Sequence, residues 1–207
     1  MNNFNNLSTV KFQEKMKPAA ERIYQKIFPR SRLVDLRQDG FKVHILDQEF
    51  GIDALLYLKS GQWVSIQEKY RKNYALKYLD FTQEFVNGHG TKHESPGEWF
   101  KLGAQLYFYG WANKEESDFE KWAIIDIVKY KMLIENNGGF EAIGGKMRYN
   151  KTHGSASFYA IPIQKLKSCF VCDYRNLLKK KEEKNNVSRN LETFYPDAKL
   201  GLLHQAL

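Results

Sequence analysis

Only two cysteines, Cys169 and Cys172, occur in the 207 residues. That is too few for a disulfide framework and fits a reducing compartment. No segment approaches the roughly 18 consecutive apolar residues of a membrane span. The start, Met1-Asn2-Asn3-Phe4-Asn5-Asn6, has neither the charged nor the apolar region of a signal peptide, so a cytoplasmic protein without membrane association is expected. No internal repeat and no clear composition break divides the chain. Its 43% hydrophobic and 14% aromatic residues exclude a disordered polypeptide and supply one sizeable core. What is in excess is positive charge: 32 Lys and Arg against 24 Asp and Glu leave +8, a balance suited to a polyanionic partner, nucleic acid first.

Periodicity predicts a helix over 12–28, with Met16, Ala19, Ala20, Ile23 and Ile27 at three- and four-residue steps. Strands are expected at 32–37 and 41–47 around the Gln38-Asp39-Gly40 turn, then at 79–86, 105–111 and 121–125, and 168–173 reads as a mostly apolar strand or buried segment. The aromatic run 105–111 reads as a buried central strand. Segment 157–163, stopped by Pro162, reads as an edge strand. Asp126 caps a helix over 127–136 that ends at Asn136-Asn137-Gly138-Gly139. These elements imply a single α/β domain over 1–172, with a mixed central sheet flanked by helices, and a charged extension over 173–207.

The most informative stretch is Gly51-Ile52-Asp53-Ala54-Leu55-Leu56-Tyr57-Leu58, Lys59-Ser60-Gly61, then Gln62 to Lys69. Two β-prone runs around a Ser-Gly turn make a hairpin. Side chains alternate along a strand, so Gln67 and Lys69 share one face, Glu68 takes the other, and Asp53 can lie beside the pair near the sheet end. Taken singly, Asp53 ends a turn, Lys69 guards a strand edge and Glu21 faces water. Their order along one helix and one hairpin is what points to chemistry.

An acid on one strand and an x-Lys pair on the next resemble the PD-(D/E)xK nuclease superfamily. The variant here, Gly-Ile-Asp followed by Gln67-Glu68-Lys69 with Tyr70 and Arg71 next, looks most like the Mrr-like restriction endonucleases, with Holliday junction resolvases as more distant relatives. The resemblance covers roughly residues 12–72. Phe50-Gly51-Ile52 replaces the usual proline before the acid, and a strand over 79–86 stands where many members have a helix. The resemblance implies a restriction-endonuclease-like core and a metal-dependent DNA endonuclease using Mg²⁺, with Mn²⁺ as a substitute. Its metal ligands would be Asp53, Gln67 in place of a second acid, the Glu68 backbone carbonyl and Glu21 from the N-terminal helix. Lys69 would orient the attacking water or stabilise developing charge. Two sites acting together on both strands would make a homodimer. The missing second acid equally suits a non-catalytic nucleic-acid-binding or assembly protein on a degenerate nuclease scaffold.

Further cations are placed to meet DNA: Arg71 and Lys72 leaving the active strand, Lys92 in the polar loop 87–96, and Lys146, Arg148 and Lys151, which with Gly144-Gly145 and His153 read as a phosphate-gripping loop that matches no phosphate-loop consensus. Asp80 and Glu84, sharing a strand face, are reserve acids. A zinc site from Cys169, Cys172, His89 and His93 is disfavoured, because the cysteines sit in a mostly apolar segment where free cysteine is a small core residue.

Overall fold

The computed structural model describes residues 8–36, 44–150 and 156–175. Helix α1 runs Ser8–Ile27 and buries Phe12, Met16, Ala20, Ile23 and Tyr24 on one face. Strand β1 is Arg32–Asp35, α2 is His44–Phe50, β2 is Ala54–Tyr57 and β3 is Trp63–Arg71. Residues 44–47 are therefore helical, where the sequence suggests a strand. The register explains the difference: β1 pairs directly with β2, Leu33 opposite Leu56, so the partner position is already filled. Asp47 in the first turn of α2 suits the positive end of a helix. The turn expected at 38–40 and the first residues of that strand lie outside the described residues.

After β3 a 3₁₀ turn, Asn73–Lys77, leads to β4 (Asp80–Asn87), β5 (Ser95–Pro96), α3 (Glu98–Lys101) and β6 (Leu106–Ala112). Next come β7 (Phe119–Asp126), α4 (Ile127–Asn136), β8 (Lys146–Tyr149), β9 (Ser157–Pro162) and β10 (Phe170–Asp173). One sheet of six strands has the order β1-β2-β3-β6-β7-β10 and a second of four strands the order β5-β4-β9-β8. The six-stranded sheet is mixed: β3 and β6 are parallel, Lys69 opposite Tyr109, and its other pairs are antiparallel. A parallel pair needs a long crossover, and the segment from the 3₁₀ turn to α3 supplies it. The protein is thus α/β with a mixed central sheet and helices.

The core has two layers. Met16, Tyr24, Leu56, Ile66, Phe108 and Ile124 fill the space between α1 and one sheet face. On the other face Tyr107, Tyr109 and Ile125 meet Phe81 and Ile161 of the second sheet and Tyr130 of α4. Strand β6 is buried throughout, as its apolar run implies. Gly110 on β6 is needed there, since a Cβ would lie 2.5 Å from the Phe119 ring. Gly110→Ala is expected to cost about 1–3 kcal/mol, a fall in melting temperature of roughly 2–12 °C by calorimetry.

Helix α4 and its cap match the expectation, with the Asp126 side chain accepting from the Lys129 N–H. Two other readings change. Strand β9 is interior, between β4 and β8, and tolerates Pro162 because that residue ends the strand. The stretch after Gly145 is strand β8, not a phosphate-gripping loop. Gly145 packs so closely on the Phe140 carbonyl that a Cβ would sit 2.7 Å from it. Cys169 and Cys172 are free and buried, and they belong to the two different core layers. Among the described residues no helix is long and apolar enough to cross a membrane.

Candidate active site

Asp53 enters β2 just after Gly51, whose φ of +54° turns the chain out of α2 in a region natural to glycine. The Asp53 N–H donates to the Ile66 carbonyl at 2.9 Å, which pins its backbone to β3. Its carboxylate, only 4% exposed, then accepts the Glu68 N–H at 2.8 Å. The carboxylate therefore lies in the plane of the sheet where the ladder between β2 and β3 ends. Tyr24 on the α1 side and Tyr107 on the opposite side both feel its charge. Since the N–H and C=O of one strand residue point the same way, the Glu68 carbonyl also faces the Asp53 side of β3.

The two faces of β3 carry different chemistry. On the α1 face, the Glu68 carboxylate accepts from Lys17 Nζ at 2.5 Å and from the Tyr24 hydroxyl at 2.8 Å. Lys17 also pairs with Asp35 at 3.3 Å. All four side chains are buried. Burial, then the Glu68 charge, holds the Tyr24 phenol well above its usual pKa.

On the other face, Lys69 Nζ donates to the Thr82 carbonyl at 3.2 Å and to Glu98 at 3.4 Å. Glu98 is buried and is held by the Tyr107 hydroxyl at 2.7 Å and by Gln83 Nε2 at 3.4 Å. Arg71 Nη1 donates to Thr82 Oγ1 at 2.8 Å. Burial on its own would lower the pKa of Lys69, but Glu98, with Tyr109 and Glu84, outweighs it, so the ammonium is held above the ordinary lysine value. Glu84 is pushed up by burial, with Lys69 opposing and Glu98 adding to the shift.

The Glu84 shift has a defined sign. A carboxyl whose folded pKa is raised favours the folded state while protonated. That contribution is fully present below the unperturbed 4.5 and is lost as pH rises through the elevated value. Glu84→Gln is expected to flatten this part of the curve of melting temperature against pH.

Gln67 shares the Lys69 face, and its Oε1 is buried with no hydrogen-bond donor among the described residues. A Cβ at Gly51 would come within 3.5 Å of it, so a larger residue there would crowd this oxygen. An unpaired buried carbonyl oxygen is costly, and a cation would satisfy it. Asp53, Gln67 Oε1 and the Glu68 carbonyl are hard oxygen donors of the kind Mg²⁺ and Mn²⁺ take, so the residues fit such an ion. Among the described residues no group of three or more His, Cys, Asp and Glu side chains is arranged to hold a metal.

The remaining candidates are spread out. Glu21 is exposed on α1, and the α1 side chains that hydrogen-bond to β3 are Gln13, to the Tyr70 carbonyl at 3.3 Å, and Lys17 and Tyr24, to the Glu68 carboxylate. Lys72 is half-buried with its ammonium 5.5 Å from the Phe12 ring centroid. Lys92 is exposed in the loop before β5, and Lys146 and Arg148 are exposed on β8. Lys151 lies outside the described residues. The loop meets β8 where the His89 ring lies 5.0 Å from that of Tyr149. Sequence reasoning missed Glu98 and Lys17. An acid directly after Pro96-Gly97 at a helix start is a recognisable first-turn signal, and Lys17 interrupts the apolar stripe of α1. Set against protein-family models, curated proteins and solved structures, the chain matches none of them.

Proposed function

We propose that the chain is a Mg²⁺-dependent DNA endonuclease of the PD-(D/E)xK kind, with a restriction-endonuclease-like core formed by α1, β1, β2, β3 and β6. One observation carries the reading: the Asp53 carboxylate is locked to the backbone of Glu68, between Gln67, whose amide oxygen has no donor among the described residues, and the Lys69 ammonium. The meander β1-β2-β3 followed by a parallel β6 also fits such a core.

In this reading Asp53, Gln67 Oε1 and the Glu68 carbonyl would hold the ion, while Glu21, exposed on α1, would join them only by turning toward β3. A bound divalent cation supplies Lewis acidity and a water of lowered pKa. Lys69, kept charged by Glu98, stabilises the negative charge that develops on the phosphate. Arg71, Lys72, Lys92, Lys146, Arg148 and Lys151 grip the DNA backbone without reading its sequence. A cytoplasmic homodimer, one site per strand, follows from the same reading.

The test is a digest of plasmid, linear duplex, single-stranded and branched DNA in Mg²⁺, Mn²⁺ or EDTA. Cation-dependent nicking is expected. The second reading, a non-catalytic nucleic-acid binder on a degenerate nuclease scaffold, rests on Gln67 standing where a second acid is expected. It is supported instead if the DNA is retarded in gels but left intact under every cation.

A further inference from the structure

Where β3 leaves the sheet, the structure carries a second surface to which no role has been given. The turn Asn73–Lys77 and the residue after it hold Tyr74 and Tyr78 outward, 70% and 60% exposed. The Lys77 ammonium lies 4.9 Å from the centre of the Tyr78 ring. This turn is firmly anchored. Asn73 Nδ2 donates to the Ala112 carbonyl at 3.1 Å and to Glu120 at 3.4 Å, while the Ile163 N–H donates to the Leu79 carbonyl at 3.0 Å. Leu79 has φ +46°, a conformation that a residue with a side chain keeps only when its surroundings impose it.

Leu79 also lines a cavity of about 200 Å³ with Trp111, Phe170 and Tyr174, beside the cations Lys121, Lys167 and Arg175. The acid in this wall, Asp173, is taken up by Arg175 Nε at 2.9 Å. Trp111 is 2% exposed, and its indole N–H finds no acceptor among the described residues. Tyr78 directly precedes Leu79 of this wall, and Asn73, next to Tyr74, bonds to Glu120, next to Lys121, so the segment that carries the outward rings borders a depression with three cations in its wall. Unstacked bases present π faces to such rings and the strand presents a line of phosphates to the cations, whereas a duplex hides its base faces.

We propose that this surface binds a single nucleic-acid strand, with bases stacked on Tyr74 and Tyr78 and phosphates held by Lys77, Lys121 and Lys167. The proposal goes beyond the endonuclease reading and stands even on a chain that cuts nothing. Fluorescence anisotropy with the full chain in EDTA tests it, using labelled oligo(dT) and a duplex of equal length.

The chain is expected to bind the single strand more tightly than the duplex. Tyr74→Ala with Tyr78→Ala should weaken oligo(dT) binding about tenfold per ring and leave duplex binding and the melting temperature unchanged. The corresponding Phe variants should bind as the parent does. Lys121→Ala with Lys167→Ala should reduce the slope of log affinity against log salt by about 1.4. A preference for duplex would overturn the proposal, as would an Ala pair that keeps oligo(dT) affinity within twofold or loses both DNAs equally. Because no cation is present, none of these outcomes bears on cleavage.

Discussion

Asp53→Asn is expected to lower Mg²⁺-dependent plasmid nicking by at least about 10²–10³-fold while leaving the melting temperature and DNA retention close to the parent's. The choice of asparagine follows from the geometry. The Asp53 carboxylate accepts the buried Glu68 N–H, and an alanine would orphan that donor at a cost of about 1–3 kcal/mol. Loss of activity in Asp53→Ala would then mix chemistry with local unfolding. Asparagine keeps an oxygen for the N–H and removes only the charge that a cation requires. Nicking by Asp53→Asn within tenfold of the parent rate would remove Asp53 from the chemistry, whatever the alanine variant does.

The second large effect concerns stability. Lys17 is the cation that faces both Glu68 and Asp35 in a buried site. Lys17→Met keeps the side-chain volume and removes a buried cationic partner from each carboxylate, which is expected to cost about 3–5 kcal/mol. For a chain of this size the melting temperature should fall by roughly 6–20 °C. Glu68→Gln should also destabilise, and the double variant should cost less than the sum of the two, because both changes break one interaction. Urea unfolding of the parent and three variants measures this cycle. Additive losses, or a Lys17→Met loss below about 1 kcal/mol, would show that the pair is not a structural tie between α1 and β3.

The pattern along single elements was legible in the sequence. The period-two hairpin around Ser60-Gly61 placed Gln67 and Lys69 on one face of β3, Glu68 on the other and Asp53 beside them, because strand alternation is a local rule. Helix α1, the Asp126 cap and the fully apolar β6 were equally readable. What escaped were relations between distant segments. Nothing local says that β1 pairs with β2 across the segment 36–53, that β9 lies inside the second sheet, or that β3 and β6 are parallel.

The same limit applies within the candidate site. Glu98 meets Lys69 across 29 residues and Lys17 meets Glu68 across 51. Charged residues of this kind usually read as solvated, since burial of a charge becomes acceptable only when its partner arrives. The helical acid read from the superfamily resemblance, Glu21, is one turn from Lys17. The lysine, not the acid, turns toward the strand because it answers the buried Glu68.

Diffraction from crystals grown with Mn²⁺, using the anomalous signal of the ion, tests most directly whether Asp53 and Gln67 share a cation. A single site bonded by the Asp53 carboxylate and Gln67 Oε1 at about 2.1 Å is expected, with Lys69 on its open side. A map with no ion between them, or with Mn²⁺ held elsewhere while Gln67 Oε1 stays unligated, would contradict the assignment of this hairpin as a metal-dependent phosphodiesterase site.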